Sequence, residues 1–209
     1  MARPVRSRRP ADTRRRILEA AVAEFADKGL AGARVDAIAA RAGANKRMIY
    51  QYFGNKQDLW LVALENVYEA MRTEERLLHV TDLDPVEGMR RLVEFNFRFS
   101  MAHPELISLL NNENLHQARH LRRSKKVPAL HSPLLAMIDE VLARGVAQGV
   151  FRPGVDPMQL YITIAALGYF FLSNTHTLST IFRRDLARPK ARRERQAHIV
   201  EVVLGYLRP

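Results

Sequence analysis

The chain contains no cysteine. Disulfides, thiolate metal sites and cysteine nucleophiles are therefore excluded. It also lacks a glycine-rich phosphate loop and a serine-centred nucleophile elbow, so the common signatures of phosphoryl and acyl transfer are missing. Long apolar runs are absent as well. The longest is Leu160–Leu172, interrupted by Thr163, whereas a bilayer span takes about 18 apolar residues or more. The stretch Met1–Arg16 holds seven arginines and no apolar segment, which does not fit a secretory signal. No segment alternates with the two-residue period of a half-buried strand. These absences point to an all-α chain that is not an enzyme, needs no cofactor, contacts no membrane and is expected in the cytoplasm.

Acidic residues are scarce at one end. Residues 1–56 carry 13 Lys and Arg against 5 Asp and Glu, a net of +8 out of +11 for the chain. The remainder carries 20 against 17. Such asymmetry suits a polyanionic partner at the N-terminal end. A solubilising surface is the plainer alternative. Hydrophobic residues form 47% of the 209, enough for a substantial core.

Apolar residues recur with the helical period almost throughout. Asp12 or Thr13 can cap a first helix with the face Ile17, Leu18, Ala21, Val22 and Phe25, stopped by Gly29 near Lys28. Short helices follow over Val35–Ala42 and, capped by Asn45, to Phe53. Asn55 can cap a long helix over Lys56–His79. Asp84-Pro85 opens a helix to Ala102, and Pro104 another that breaks up in the basic stretch Arg119–Lys126. Ser132-Pro133 starts a helix to Gln148, Asp156-Pro157 one to Thr177, and a last runs over Ala191–Leu207. The expectation is about nine helices in three parts: a basic arm at 1–12, a three-helix unit at 13–56, and a larger helical domain at 57–209.

Val35–Ala42 and Asn45–Phe53, joined by a glycine turn, have helix-turn-helix spacing. In such a unit the second helix enters the major groove. Ala44, Ile49 and Phe53 are its apolar side, and Met48 lies between the faces. Asn45, Lys46, Arg47, Tyr50 and Gln51 are left to face outward. Arg reads guanine and Gln reads adenine through paired hydrogen bonds. Tyr50, Lys46 and Lys56 suit phosphate oxygens, as does the N-terminus of the helix that Lys56 begins. A plain core hairpin would share the period but not five polar donors on one side of so short a helix.

The stretch RRILEAAVAEFADKGLAGARVDAIAARAGANKRMIYQYFGNKQDLWLVAL, Arg15 to Leu64, resembles the DNA-binding domain of the TetR family of regulators. The residues that carry it include Ile17, Ala20, Ala21, Phe25, Gly29, Val35, Ile38, Ala39, Ala42, Gly43, Lys46, Ile49, Tyr50, Tyr52, Phe53, Lys56 and Leu59. The segment NNENLHQARHL, Asn111 to Leu121, and the ending HIVEVVLGYL also resemble one subgroup of that family. The resemblance implies a homodimer on a palindromic double-stranded operator, acting as a repressor that a small-molecule effector releases. It places Lys46, Arg47, Tyr50, Gln51 and Tyr52 at the DNA and Lys56 on a phosphate. One departure stands out: the family often has Thr or Ser before the second helix, where this chain has Ala33 and Arg34. Arg34 is then a substitute phosphate contact. The arm residues Arg3, Arg6, Arg8 and Arg9 either track the DNA groove or form a basic tail of general affinity.

In the C-terminal domain, the helix from Asp156 is apolar nearly all round and must be covered on all sides. With Ile199, Val202, Val203 and Tyr206 it forms the candidate dimer interface. Effector candidates are polar or aromatic residues on otherwise apolar helices: Trp60, Asn96, Asn112, Asn114, His116, Tyr161, Tyr169, Asn174 and His176, with a mild preference for aromatic or small carboxylic acids. Glu113, His116 and His120, spaced i, i+3, i+7, match a metal-ligand face. The flanking Arg119, Arg122, Arg123, Lys125 and Lys126 favour a Glu–Arg network there instead, and no metal is expected. A nonspecific DNA-coating protein is the competing function; it predicts equal affinity for every duplex.

Overall fold

The computed structural model describes residues 10–209. Among these there are ten α-helices, two single-turn 3-10 helices and no strand. The helices are α1 (Pro10–Gly32), α2 (Val35–Ala42), α3 (Lys46–Phe53), α4 (Lys56–Arg76), α5 (Pro85–Ala102), α6 (Pro104–Leu115), α7 (Lys126–Ala147), α8 (Pro157–Ser173), α9 (Thr175–Ile181) and α10 (Pro189–Leu207). The arm arginines Arg3, Arg6, Arg8 and Arg9 lie outside the described residues.

Several helix ends follow directly from capping chemistry. Asn45 Oδ1 accepts from the Arg47 N–H at 2.8 Å. Asn55 Oδ1 accepts from Gln57 and Asp58 at the head of α4. Asp84 and Asp156 cap α5 and α8, each followed by proline in the first turn. Each such cap stabilises its helix by about 1 kcal/mol. Within α1, Gly29 stands at φ 64, ψ 175 and ends the regular helix one turn early.

Three elements differ from the sequence reading. The expected helix to Thr177 is two, because Asn174 leaves the helical angles at φ −112, ψ 13, with its side chain bonded back to the Phe170 carbonyl. Asn174 is thus both the C-cap of α8 and the N-cap of α9. Helix α7 begins at Lys126 rather than Ser132, and carries Pro133 inside it. Proline removes the backbone donor that would meet the Ala129 carbonyl, and the helix runs on through it; two residues earlier the His131 ring Nδ1 bonds the Val127 carbonyl at 2.8 Å. Finally, α6 stops at Leu115, before the basic stretch. Gln117 and Ala118 take left-handed backbone angles and the chain hooks back.

The chain divides into two compact units. Among the described residues, unit 1 is the part up to Tyr68 together with Ser108–Lys125; unit 2 is Glu69–Ile107 with Lys126–Pro209. Helices α4 and α6 each contribute to both.

Unit 1 packs Ile17 and Phe25 of α1, Ile38 of α2, Ile49 and Phe53 of α3, and Leu59, Trp60 and Leu64 of α4, all nearly or fully buried. Phe25 meets Trp60 edge-on at 5.1 Å between ring centres. Unit 2 has its own core from Met89, Leu92, Val93 and Phe97 of α5, Leu134, Ile138 and Val141 of α7, Leu160, Ile164 and Phe171 of α8, and Ile199, Val203 and Leu207 of α10. Burial of each such side chain contributes about 1.5–3 kcal/mol. The remaining side of α8 is not covered by unit 2. Met158, Ile162 and Phe170, spaced i, i+4, i+12, are 49%, 50% and 59% exposed, and Val202 and Tyr206 of α10 are also exposed.

Candidate nucleic-acid interface

The interface is built on the α2–α3 hairpin. Gly43 closes α2 in the left-handed conformation, φ 55, ψ 42, and its N–H meets the carbonyls of Ala39 and Ala40. A β-carbon is disfavoured at those angles, so glycine suits this turn. Arg16 braces the same end, donating to the Ala42 carbonyl at 2.8 Å. On α3, Ile49 and Phe53 face the core, and the Arg14 guanidinium lies 5.1 Å from the Phe53 ring centre. The apolar contacts fix which side of α3 is free.

That free side carries the residues expected there. Lys46, Arg47, Tyr50 and Gln51 are exposed, as is Asn45 with its oxygen committed to the cap. Tyr52 is half-buried and meets Phe53 edge-on. Lys46 Nζ lies 2.8 Å from Asp36 Oδ1, and hydrogen bonding to that carboxylate raises the lysine pKa. Lys46 is therefore fully charged but already has an acidic neighbour in the free protein.

Two expected phosphate contacts have particular settings. Arg34 is the N-cap of α2; its side chain is exposed and makes no cap bond, while its N–H meets Glu24 at 3.3 Å. Lys56 Nζ donates to the carbonyls of Ala31 and Ala33 at 3.3 and 3.1 Å. Its charge tightens the link before α2, and it would have to exchange those carbonyls to reach a phosphate directly.

The effector candidates divide between the units. In unit 1, the Trp60 ring is fully buried and its N–H donates to Glu113 Oε2 at 2.8 Å. Asn112 accepts from the Leu30 N–H at 3.3 Å; Asn114 and His116 are exposed. In unit 2, Asn96 is buried in α5, Tyr161 and Tyr169 are half-buried on α8, Asn174 closes α8, and His176 is exposed on α9.

Glu113, His116 and His120 do not share a helix face, because α6 ends at Leu115. Glu113 turns inward, where its carboxylate collects Trp60 Nε1, the N–H groups of His120 and Leu121, and His120 Nδ1 at 2.8–3.0 Å. Burial pushes its pKa up, but these hydrogen bonds together outweigh it and hold the carboxyl below its ordinary value. The expected Glu–Arg network is thus a Glu–Trp–His cluster. Sequence reasoning also passed over Arg72 and Glu75, 1% and 2% exposed on α4 in unit 2. They stand in the polar run EAMRTEER, where nothing in the residue types marks two of them as buried.

Family models match both parts of the chain: bacterial regulatory proteins of the tetR family over residues 17–63, and the tetracyclin repressor-like C-terminal domain over residues 85–203. The HTH-type transcriptional repressor NicS of Pseudomonas putida is 37% identical over 204 residues, covering 98% of this chain and 96% of that protein. The HTH-type transcriptional repressor SCO4008 of Streptomyces coelicolor is 46% identical over half of each chain. Among solved structures, SCO4942 of Streptomyces coelicolor superposes with a TM-score of 0.70 at 26% identity, over 94% of this chain and 99% of that one. The regulator PfmR of Thermus thermophilus shares the fold, with a TM-score of 0.68 at 23% identity, over 94% of this chain and 97% of that one. The chain belongs to the TetR family: it is a DNA-binding transcriptional regulator and not an enzyme. No helix among the described residues is long and apolar enough to cross a membrane.

Proposed function

We propose that this regulator is a cytoplasmic repressor that binds a palindromic operator as a homodimer and leaves it when a small-molecule effector occupies unit 2. The observation that carries the reading is the exposed side of α3, with Arg47, Tyr50 and Gln51 held outward by the burial of Ile49 and Phe53. Arg47 and Gln51 read base edges. Lys46, Tyr50, Tyr52, Asn45 and Arg34 contact the backbone, and Lys56 adds charge at the head of α4. In this division residues 13–56 read DNA and 57–209 bind effector and partner.

The dimer follows from a physical need and an available surface. One short helix reads only a few base pairs, and two copies about 34–36 Å apart read successive turns of the groove. The exposed Met158, Ile162, Phe170, Val202 and Tyr206 form the self-complementary surface, since apolar patches of this kind mark interaction sites. Effector release requires that the ligand prefer a conformation whose recognition helices no longer fit the operator. Helix α4 carries Lys56 at one end and the buried Arg72 and Glu75 near the other, and is the element through which the preference is transmitted.

In vitro selection from random duplexes tests the reading. A palindromic site bound at least about 10³-fold more tightly than random DNA supports it. Equal affinity for all duplexes, with a steep salt dependence, assigns the chain to nonspecific coating instead.

A further inference from the structure

Arg72 and Glu75 are a buried pair that is poorly satisfied. Arg72 NH1 lies 2.9 Å from Glu75 Oε2. Yet Arg72 Nε, NH1 and NH2 all lack a hydrogen bond of normal geometry, and so does Glu75 Oε1. A guanidinium offers five donors in a rigid plane; here its polar contacts are confined to the Glu75 carboxylate and the Tyr161 side chain, without a well-aligned bond from any of its nitrogens, which is expensive in a dry interior. Folding alone gives no reason to retain such a group.

The surroundings narrow what is missing. The Tyr161 ring of α8 lies under the guanidinium, 5.5 Å from its carbon to the ring centre. His131 of α7 meets Tyr161 edge-on at 6.1 Å. Three helices of unit 2 thus converge on one cation with a flat aromatic wall beside it. The complement to a forked pair of N–H donors is a two-oxygen anion, and carboxylate geometry matches it bidentately.

We propose that Arg72 anchors the carboxylate of a small organic acid, with Glu75 as the placeholder it displaces and Tyr161 as the wall against its body. This rests on the reading that unit 2 takes the effector, and it names the effector's chemical class. In the free protein Glu75 meets the guanidinium from one turn away on the same helix, an approach that gives contact without hydrogen bonds. A free carboxylate can align with two donors at once.

Displacement changes the charge balance at the site. The groups around Glu75 are Arg72 and Arg76 on its own helix and Tyr161 on α8, with His131 of α7 next to Arg72 and Tyr161. Burial already raises Glu75 to about 7, against the lowering effect of Arg72 and Arg76. A second carboxylate on Arg72 disfavours the Glu75 anion further. Glu75 therefore takes up a proton on binding, and its O–H can then donate to the incoming anion. Affinity falls as pH rises, by about fivefold between pH 7 and pH 8 for one such proton.

The test uses the full-length protein without DNA, with benzoate, butanoate and neutral benzamide as probes, read by calorimetry and by shift in melting temperature. A carboxylate that binds more tightly at pH 7 than at pH 8, with no binding of benzamide, supports the proposal. Arg72→Met, and the double variant Arg72→Met/Glu75→Leu should the first fold poorly, are expected to lose about 100-fold or more in affinity, the scale of a lost charge-assisted pair. Failure of both carboxylates to bind, or unchanged binding by a folded Arg72 variant, overturns it. A neutral compound that releases operator DNA equally from wild type and Arg72→Met also overturns it, while leaving the regulator reading intact. Carboxylate binding without selective DNA binding would do the reverse.

Discussion

The Trp60 indole on α4 donates to Glu113 on α6 across 2.8 Å of buried interior, between residues 53 positions apart in sequence. The same carboxylate holds the returning chain at His120 and Leu121. One side chain therefore ties the end of α6 to the core on which the recognition helix is built. Glu113→Ala strands several buried donors at once and is expected to cost about 3–5 kcal/mol, the range for removing one partner of a buried charged cluster. Glu113→Gln keeps one acceptor and costs less. Because its pKa is depressed in the folded state, this group's contribution is present above the ordinary glutamate pKa of about 4.3 and is lost as pH falls through the lower folded value. Urea unfolding followed by Trp60 fluorescence measures both effects, and a Glu113→Ala stability equal to wild type would refute the assignment.

A second tie in unit 1 depends on Gly29. Its φ of 64 is one that residues with a β-carbon rarely adopt, and an added β-carbon would lie 2.6 Å from Asn112 Nδ2. The Asn112 side chain would have to move, weakening its bond to the Leu30 N–H. Gly29→Ala is expected to cost about 1–3 kcal/mol from backbone strain and the lost bond. Gly32→Ala meets only the Lys28 β-carbon at 3.4 Å and is expected to be nearly neutral. Thermal melts of the two variants give the comparison.

The hairpin proposed to read DNA was legible as structure in the sequence because its determinants are local. Asn45 caps within two residues, and the burial of Ile49 and Phe53 leaves Arg47, Tyr50 and Gln51 outside by helical geometry alone. The ends of α2 and α3 follow from Gly43 and Gly54 for the same reason. Long-range partners decide what was not legible. Nothing near Trp60 in sequence announces Glu113, its hydrogen-bond partner from 53 positions away, and nothing near Lys56 announces the carbonyls of Ala31 and Ala33 that its amine meets. Arg72 and Glu75 are polar residues in a polar run; only packing against α7 and α8 buries them. Pro133 misled for the opposite reason: a local helix breaker marked a start, but the helix begins a full turn and more before it, at Lys126, with Val127, Leu134 and Ile138 buried along its length.

The Lys46–Asp36 contact bears on DNA affinity. Both side chains are exposed, so the pair adds little to stability. It does place a carboxylate beside a lysine that is proposed to meet phosphate. Asp36→Asn removes that competition and is expected to tighten binding to all duplexes alike, with a slightly steeper salt dependence. Arg47→Ala is expected to weaken the operator complex by about 1–3 kcal/mol and to relax selectivity at one base pair. Mobility-shift titrations on operator and scrambled duplexes at two salt concentrations separate the two. A loss confined to scrambled DNA for Arg47→Ala would contradict its assignment to a base edge.

The apolar surface of α8 and α10 gives the last expectation. Phe170 is 59% exposed on the broad uncovered side of α8 that Met158 and Ile162 also occupy, and its carbonyl, not its ring, is what the Asn174 side chain bonds. Its side chain can therefore be changed without disturbing the helix end. Phe170→Glu places a charge in the centre of the proposed self-contact, where an unpaired carboxylate in a buried interface is strongly unfavourable. The variant is expected to keep its helical circular dichroism and melting cooperativity, to sediment as a monomer where the wild type is a dimer, and to lose operator binding far more than binding to a single half-site. Two linked recognition helices gain affinity from each other only while the linkage holds. Sedimentation velocity with half-site and full-site titrations checks this directly, and a Phe170→Glu dimer of unchanged stability would move the interface to another surface.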